Sequence, residues 1–355
     1  MKSFKYYLCM LVILFSCNKD DTEKSNDNFI ISGIDISSFP KINLSNPIFY
    51  NQESTVSDFL STIKTSGVNT IRLRLWVNPT DNHSGFEEVK KFSQTLKSNG
   101  FKIHLALHYS DTWADPGKQE TPLEWQQDSF ESLQEKVASY TTKVMEEIKP
   151  DYIQIGNEIN SGFLFPTGNI STQPLQFLGL LNASVKAVRS KKTETKIIIH
   201  FAGLENSDWF FGQLGSLDYD IIGLSYYPIW HGKSLKNLKQ TMESLANSYS
   251  KKIMIAETAY PFTLGYNDWT NNIVGLNEQL ILPEFPASPI GQQEFIREIK
   301  EISTSFKNGI GFCCWGAELI SWNGNQSENG SVWENQALFN FENIALPVLN
   351  EFKIN

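Results

Sequence analysis

The sequence predicts an α/β fold, a closed (β/α)8 TIM barrel in a single domain. Three observations lead there. Short β-rich apolar runs recur eight times, longer amphipathic stretches separate them, and polar residues stand at the end of every run. Strands alternating with helices form parallel βαβ units, and eight such units in one chain favour a barrel over an open doubly wound sheet. No Gly-x-Gly-x-x-Gly loop follows any strand, which removes the main dinucleotide-binding alternative.

In chain order, the expected strands are Ile31–Ile36, Thr70–Leu75, Lys102–Leu107, Tyr152–Ile155, Lys196–Ile199, Ile221–Leu224, Ile253–Ala256 and Gly311–Trp315. Between them, residues 54–66, 86–98, 127–148, 173–190, 234–249 and 290–307 carry apolar residues at helical spacing. No linker interrupts the pattern, so residues 29–355 read as one domain.

The N-terminus reads as a targeting segment. Lys2 and Lys5 precede an apolar run, Tyr6 to Phe15, too short to span a bilayer as a helix. Leu14-Phe15-Ser16-Cys17 resembles a loose bacterial lipobox, so residues 1–17 are expected to be a lipoprotein signal peptide with Cys17 lipidated. An ordinary secretion signal with a chance cysteine is the alternative. The polar residues 18–28 read as a flexible tether, and Asn18-Lys19-Asp20-Asp21 resembles the acidic signal for export to the cell surface. The expected location is the outer surface of a Gram-negative bacterium, with membrane contact only through the lipid. Cys313 and Cys314 are neighbours, a spacing that rarely permits a mutual disulfide.

The 355-residue chain has 41% hydrophobic and 19% charged residues, a globular balance, and a formal charge of −9. No basic stripe appears that could neutralise phosphates, so a nucleic-acid partner is excluded, and a strongly anionic substrate is disfavoured. The 9 Trp and 12 Tyr, many beside polar residues, suit sugar rings as well as a core. The five histidines contain no His-Glu-x-x-His, and no Gly-x-Ser-x-Gly elbow is present. A monomer is expected.

In such barrels the chemistry sits at the C-terminal ends of the strands. Asp35, Arg72 and Arg74, His108 and Asp111, Asn157 and Glu158, His200, Tyr226 and Tyr227, Glu257, and Trp315 with Glu318 all occupy that face. Glu158 alone would read as a solvated loop residue and Glu257 as an ion-pair partner. Together, ending the fourth and seventh strands, they face each other across the mouth. Glycosidic hydrolysis requires such a pair, one acid for the leaving oxygen and one nucleophile or base at the anomeric carbon. Asn157 is placed to bind a sugar 2-hydroxyl, Arg74 to hold Glu257 ionised, Tyr226 or Tyr227 to hydrogen-bond the nucleophile, and His108 and His200 to contact sugar hydroxyls. That chemistry requires no cofactor.

Six stretches, "VNTIRLRLWVNP", "LALHYSDTWADPGKQETPLEW", "QIGNEINSGFLFPTG", "IIGLSYYPIWHG", "IAETAYPFT" and "GSVWENQALFN", together resemble glycoside hydrolase family 53, the arabinogalactan endo-β-1,4-galactanases. The likeness runs in order from Gly33 to Leu346. It implies a retaining endo-hydrolase of β-1,4-galactan, with Glu158 as acid/base, Glu257 as nucleophile, and Asp111, Trp113, Trp230 and Trp315 in or near the substrate groove. Another β-linked polymer such as mannan, or a surface lipoprotein that binds glycan without cutting it, are the alternatives. Some relatives carry a calcium loop after the seventh strand. Here that stretch offers Asn267, Asp268, Asn271 and Asn272, a single carboxylate for a cation that takes six to eight oxygens.

Overall fold

A computed structural model describes residues 29–191 and 193–354. The expected signal segment, Cys17 and the tether at 18–28 lie outside the described residues. Eight parallel strands close into a barrel in strict chain order, each paired with the next and β8 with β1. They are β1 Ile31–Asp35, β2 Thr70–Leu75, β3 Lys102–Leu107, β4 Tyr152–Ile155, β5 Lys196–Ala202, β6 Ile221–Ser225, β7 Lys252–Thr258 and β8 Gly309–Cys314. The expected strands are all present. Trp315 falls one residue beyond β8, where its N–H still donates to Thr258 O at 2.8 Å.

The outer ring is α1 Phe59–Thr65, α2 Phe86–Ser98, α3 Phe130–Glu147, α4 Pro174–Ser190, α5 Ser207–Gln213, α6 Leu235–Tyr249 and α7 Pro289–Thr304. Their starts follow from local chemistry. Asp58, Ser129, Ser234 and Ser288 each accept a hydrogen bond from the backbone N–H three residues on, and Pro174 and Pro289 occupy first-turn positions where a missing N–H costs nothing. The short α5, built from an aromatic run with no clear helical period, was not among the expected helices. In place of an eighth helix the chain ends in a 3-10 turn, Pro347–Phe352. Phe352 packs on Phe312 of β8 at 5.3 Å between ring centroids, and its carbonyl accepts from the Ser32 hydroxyl of β1.

Side-chain alternation divides the barrel into an outer core and an interior column. The outward residues of the strands pack against the helices in the main apolar cluster. The inward residues form layers. Ile31, Tyr152, Ile198, Ile221, Met254, Ile310 and Cys313 plug the lower end, and above them the filling turns polar, with Arg72, His104 and Gln154. That polar layer is the floor on which the mouth is built. No helix among the described residues is long and apolar enough to cross a membrane.

Candidate active site

The strand β4 ends at Ile155, and its backbone then turns left-handed twice. Gly156 has φ 73°, where an added Cβ would collide with Ile159, and Glu158 itself has φ 48°. Such a conformation is uncommon for a non-glycine residue. It aims the Glu158 side chain over the barrel axis rather than outward. Glu257 reaches the same place by a different device. Leu224 pairs with Ile255 but Ser225 pairs with Glu257, so β7 carries one extra residue at Ala256. This bulge shifts the alternation by one and turns Glu257 inward beside Ser225.

One oxygen of each carboxylate and one ring nitrogen of His200 lie within 4.8 Å of one another. The two carboxyls have opposite surroundings. Arg72 Nη2 pairs with Glu257 Oε1 at 2.6 Å and Tyr227 donates to Glu257 Oε2 at 3.1 Å. Among the described residues, Glu158, partly open to the cleft, receives only the Ser225 hydroxyl, 2.5 Å from Oε1. Burial, and then the neighbouring Glu257 charge, push Glu158 up to about 8. Burial also raises Glu257, but the adjacent guanidinium and the tyrosine hydroxyl oppose it. With one proton to share, the pair therefore carries it on Glu158.

Behind Glu158, Ser225 Oγ lies 2.9 Å from His200 Nε2, and His200 Nδ1 lies 3.1 Å from Asn157 Oδ1 and 3.3 Å from the Glu158 N–H. Burial and then Arg72 hold His200 well below its ordinary value, so the ring is neutral. The hydrogens of this chain run either way. An ionised Glu158 accepts from Ser225, which accepts from Nε2–H; a protonated Glu158 donates to Ser225, which donates to Nε2.

The structure redistributes several expected roles. Arg74 does not reach Glu257; Arg72 does. Both point into the barrel, being two residues apart on one strand, but Arg72 sits in the lower layer between Asp35 and Glu257. Arg74, at the rim, leans away to Ser84 and His83. Tyr227 meets Glu257, whereas Tyr226 alternates outward into the core and donates to Gly232 O at 2.7 Å. His200 is fully buried beneath Asn157 and Glu158, out of reach of a sugar. His108 is buried too, its Nδ1 accepting the Ala114 N–H under Trp113. Asp111 staples loops, accepting the N–H groups of Asn78 and Leu123 at 2.9 and 2.8 Å. Asn157, Trp113, Trp230 and Trp315 do line the cleft above the carboxylates, a space of about 580 Å³. Ser225 and Trp333 were missed, and Arg72, expected at the strand ends, had been given no partner. Trp333 stands edge-on to Trp315 at 4.8 Å and edge-on to Tyr227 at 5.7 Å. A larger cavity of about 850 Å³ lies at the other end of the barrel, away from the strand ends where these groups converge.

Of the two candidate metal positions, the one between the glutamates does not suit a cation. At the Glu158–His200–Glu257 cluster the Arg72 charge already occupies Glu257. In the loop at 264–275, Asp268 accepts from Thr270 N, Ser331 N and Ser321 Oγ at 2.7, 3.2 and 3.3 Å. Glu334 accepts from Asn267 N and Asp268 N at 2.6 and 3.3 Å. These donors tie the loop to the one after β8, while Glu334 Oε2 and Asn272 Oδ1 stay buried with no hydrogen-bond partner among the described residues, so the loop keeps oxygens that a cation could use.

A closed barrel with two opposed carboxylates under an aromatic cleft defines the class, a barrel glycoside hydrolase. The chain belongs to glycosyl hydrolase family 53, whose model matches residues 31–352. It is 34% identical to an arabinogalactan endo-beta-1,4-galactanase of Cellvibrio japonicus, over 98% of this chain and 97% of that one, and 30% identical to an endo-beta-1,4-galactanase of Bacillus subtilis, over 93% and 87%. Among solved structures, the GH53 catalytic domain of Ignisphaera aggregans matches with a TM-score of 0.85 at 35% identity, covering 93% of this chain and 97% of that domain.

Proposed function

We propose that the protein is a retaining endo-β-1,4-galactanase that cuts pectic galactan to galacto-oligosaccharides. One observation carries the reading of mechanism: the two carboxyls approach within 4.8 Å. Retaining enzymes hold the pair about 5–5.5 Å apart, whereas inverting ones leave about 6.5–9.5 Å for a water. The galactan substrate is supported by family membership and by the named activities of the relatives.

In this mechanism Glu257, ionised beside Arg72, attacks the anomeric carbon. Glu158 protonates the departing oxygen, then removes a proton from the water that opens the galactosyl-enzyme. Asn157 has its Oδ1 held by Arg72 Nη2 at 2.8 Å and Gln154 Nε2 at 2.9 Å, and one Nδ2 hydrogen spent on Ala114 O. Its other Nδ2 hydrogen is left for the sugar 2-hydroxyl, a contact that strengthens at the transition state. The aromatic cleft supplies the ring contacts. We also propose that Cys17 is lipidated and tethers the enzyme to the outer cell surface, where the polymer is met before import.

The two glutamates fail differently when removed. Glu257→Ala should abolish turnover of every substrate. Glu158→Ala should still form the covalent intermediate from an aryl galactoside with a good leaving group. Azide should then restore its turnover and give a β-galactosyl azide. Azide rescue and product anomer reversed between the variants would exchange the assignments, and galactan cleavage surviving both would move the site elsewhere.

Ser225→Ala should shift the pH profile of kcat/KM. A hydrogen bond to the charged carboxylate is the stronger one, so its loss raises Glu158 further. Activity falls as Glu158 loses its proton, so the alkaline limb should move to higher pH; movement to lower pH would contradict the role of Ser225.

Cys17→Ala should release the protein from the membrane fraction. A variant that stays membrane-bound and surface-exposed would show the lipobox reading to be wrong.

A further inference from the structure

The turn that carries Glu158 is held by a side chain that plays no part in the mechanism above. Gln119, in the loop after β3, is 2% exposed and does not line the cleft. Its Nε2 lies 2.8 Å from Asn157 O, 2.9 Å from Asp115 O and 3.2 Å from Glu158 O. All three neighbours are carbonyl oxygens, which only accept, so the nitrogen end of the amide faces them. The other end, Oε1, is buried with no hydrogen-bond partner among the described residues. Leaving a buried acceptor unpaired is costly, and the amide keeps this orientation nonetheless.

The two carbonyls of the turn belong to the peptides on either side of the Glu158 Cα. Donating to both, Gln119 opposes rotation about φ and ψ of that residue. Its φ of 48° is one that a non-glycine residue holds only where the surroundings impose it. Other bonds act on the same turn. The Glu158 N–H meets His200 Nδ1 at 3.3 Å, the Ile159 N–H donates to His200 O at 3.1 Å, and Asn157 Nδ2 donates to Ala114 O at 2.9 Å. The clamp itself rests on a fixed segment. Phe165 N–H donates to Gln119 O at 2.8 Å, and Thr121 Oγ1 donates to Phe165 O at 2.8 Å.

We propose that Gln119 is a positioning residue for the acid/base, aiming the Glu158 carboxyl by fixing both peptide planes beside it without touching the substrate. The inference rests on the glycan-hydrolase reading above and adds to it. Glu257 is oriented separately, by Arg72 and Tyr227. Loss of the amide donors should therefore reproduce the defect of Glu158 and spare the nucleophile.

The test is Gln119→Met, which removes both donors at nearly constant length. On galactan its kcat should fall by about a hundredfold with KM little changed, the scale of a misplaced catalytic group. On an aryl galactoside with a good leaving group, the covalent intermediate should form at the wild-type rate and be hydrolysed slowly, and azide should restore turnover. Thr121→Val loosens the same loop at Phe165 without removing the clamp, and should match the wild type throughout. If Gln119→Met does not fold, Gln119→Glu replaces it. Burial against three carbonyl oxygens favours the protonated form of that side chain, whose single O–H keeps part of the clamp, so a smaller loss with the same azide response is expected. Undiminished galactan cleavage by the folded variant overturns the proposal. So does a loss that slows formation of the intermediate as much as its hydrolysis, with no response to azide. The azide-responsive defect appearing in Thr121→Val as well would assign the effect to loop order, not to the amide, and would also overturn it. Failure of the wild type to cut galactan would instead overturn the proposed function, so the two failures are distinguishable.

Discussion

The buried guanidinium of Arg72 is the interaction on which the mouth of this barrel depends. From the second strand it pairs with Asp35 of the first at 2.7 Å and Glu257 of the seventh at 2.6 Å, and donates to Gln154 and Asn157 at the fourth. Four strand ends are thus fixed by one side chain that is 1% exposed. Burial alone would lower its pKa, and the two carboxylates more than reverse that. Breaking such a buried network by removing one partner costs about 3–5 kcal/mol, because the charges left behind lose their compensation. The barrel could have been filled with aliphatic side chains at this level, as it is one layer below. The polar filling costs desolvation and gives a defined orientation to Glu257 and Asn157.

From that anchor follows the asymmetry of the two glutamates. Both are removed from water, which favours their neutral forms. Only Glu257 has a cation in contact. Like charges this close do not ionise together without penalty, so the proton goes to the carboxyl that lacks the arginine. Ser225 and His200 then support Glu158 with a neutral, reversible chain of hydrogen bonds that accommodates either protonation state. The loops above are held by the same economy of means: buried carboxylates at Asp268 and Glu334 gather backbone N–H groups and join the segments after the seventh and eighth strands, which supply Ile273, Val332 and Trp333 to the cleft.

How much of this was legible in the sequence depended on whether a feature is set by composition or by phase. The strands read clearly because parallel strands buried on both faces are nearly continuous apolar runs, and the residues just beyond them marked the functional end. Glu158 and Glu257 were found that way. Which of two neighbours faces inward was harder. Arg72 and Arg74 share a face and differ only in depth, which a one-dimensional pattern does not record; the expected partner of Glu257 was therefore one step too high. Tyr226 and Tyr227 are separated by strict alternation once Ser225 is known to point inward. The bulge at Ala256 reverses that phase on the seventh strand, and no residue type in "MIAET" announces it. Histidines at strand ends looked like ligands for hydroxyls, yet their strands place them under the site. The short aromatic helix at Ser207–Gln213 lacked the length over which a helical period becomes visible.

The central claim is the unequal sharing of charge: Glu257 ionised by Arg72, Glu158 protonated until alkaline pH. The most direct measurement is a carboxyl titration of the free enzyme by difference infrared or carbon-13 spectroscopy, assigned with Glu158→Gln and Glu257→Gln. The account predicts that near pH 6 the signal lost in Glu257→Gln is that of a carboxylate, and the signal lost in Glu158→Gln is that of a protonated acid that titrates near 8. A protonated Glu257 beside an ionised Glu158 at that pH would contradict it.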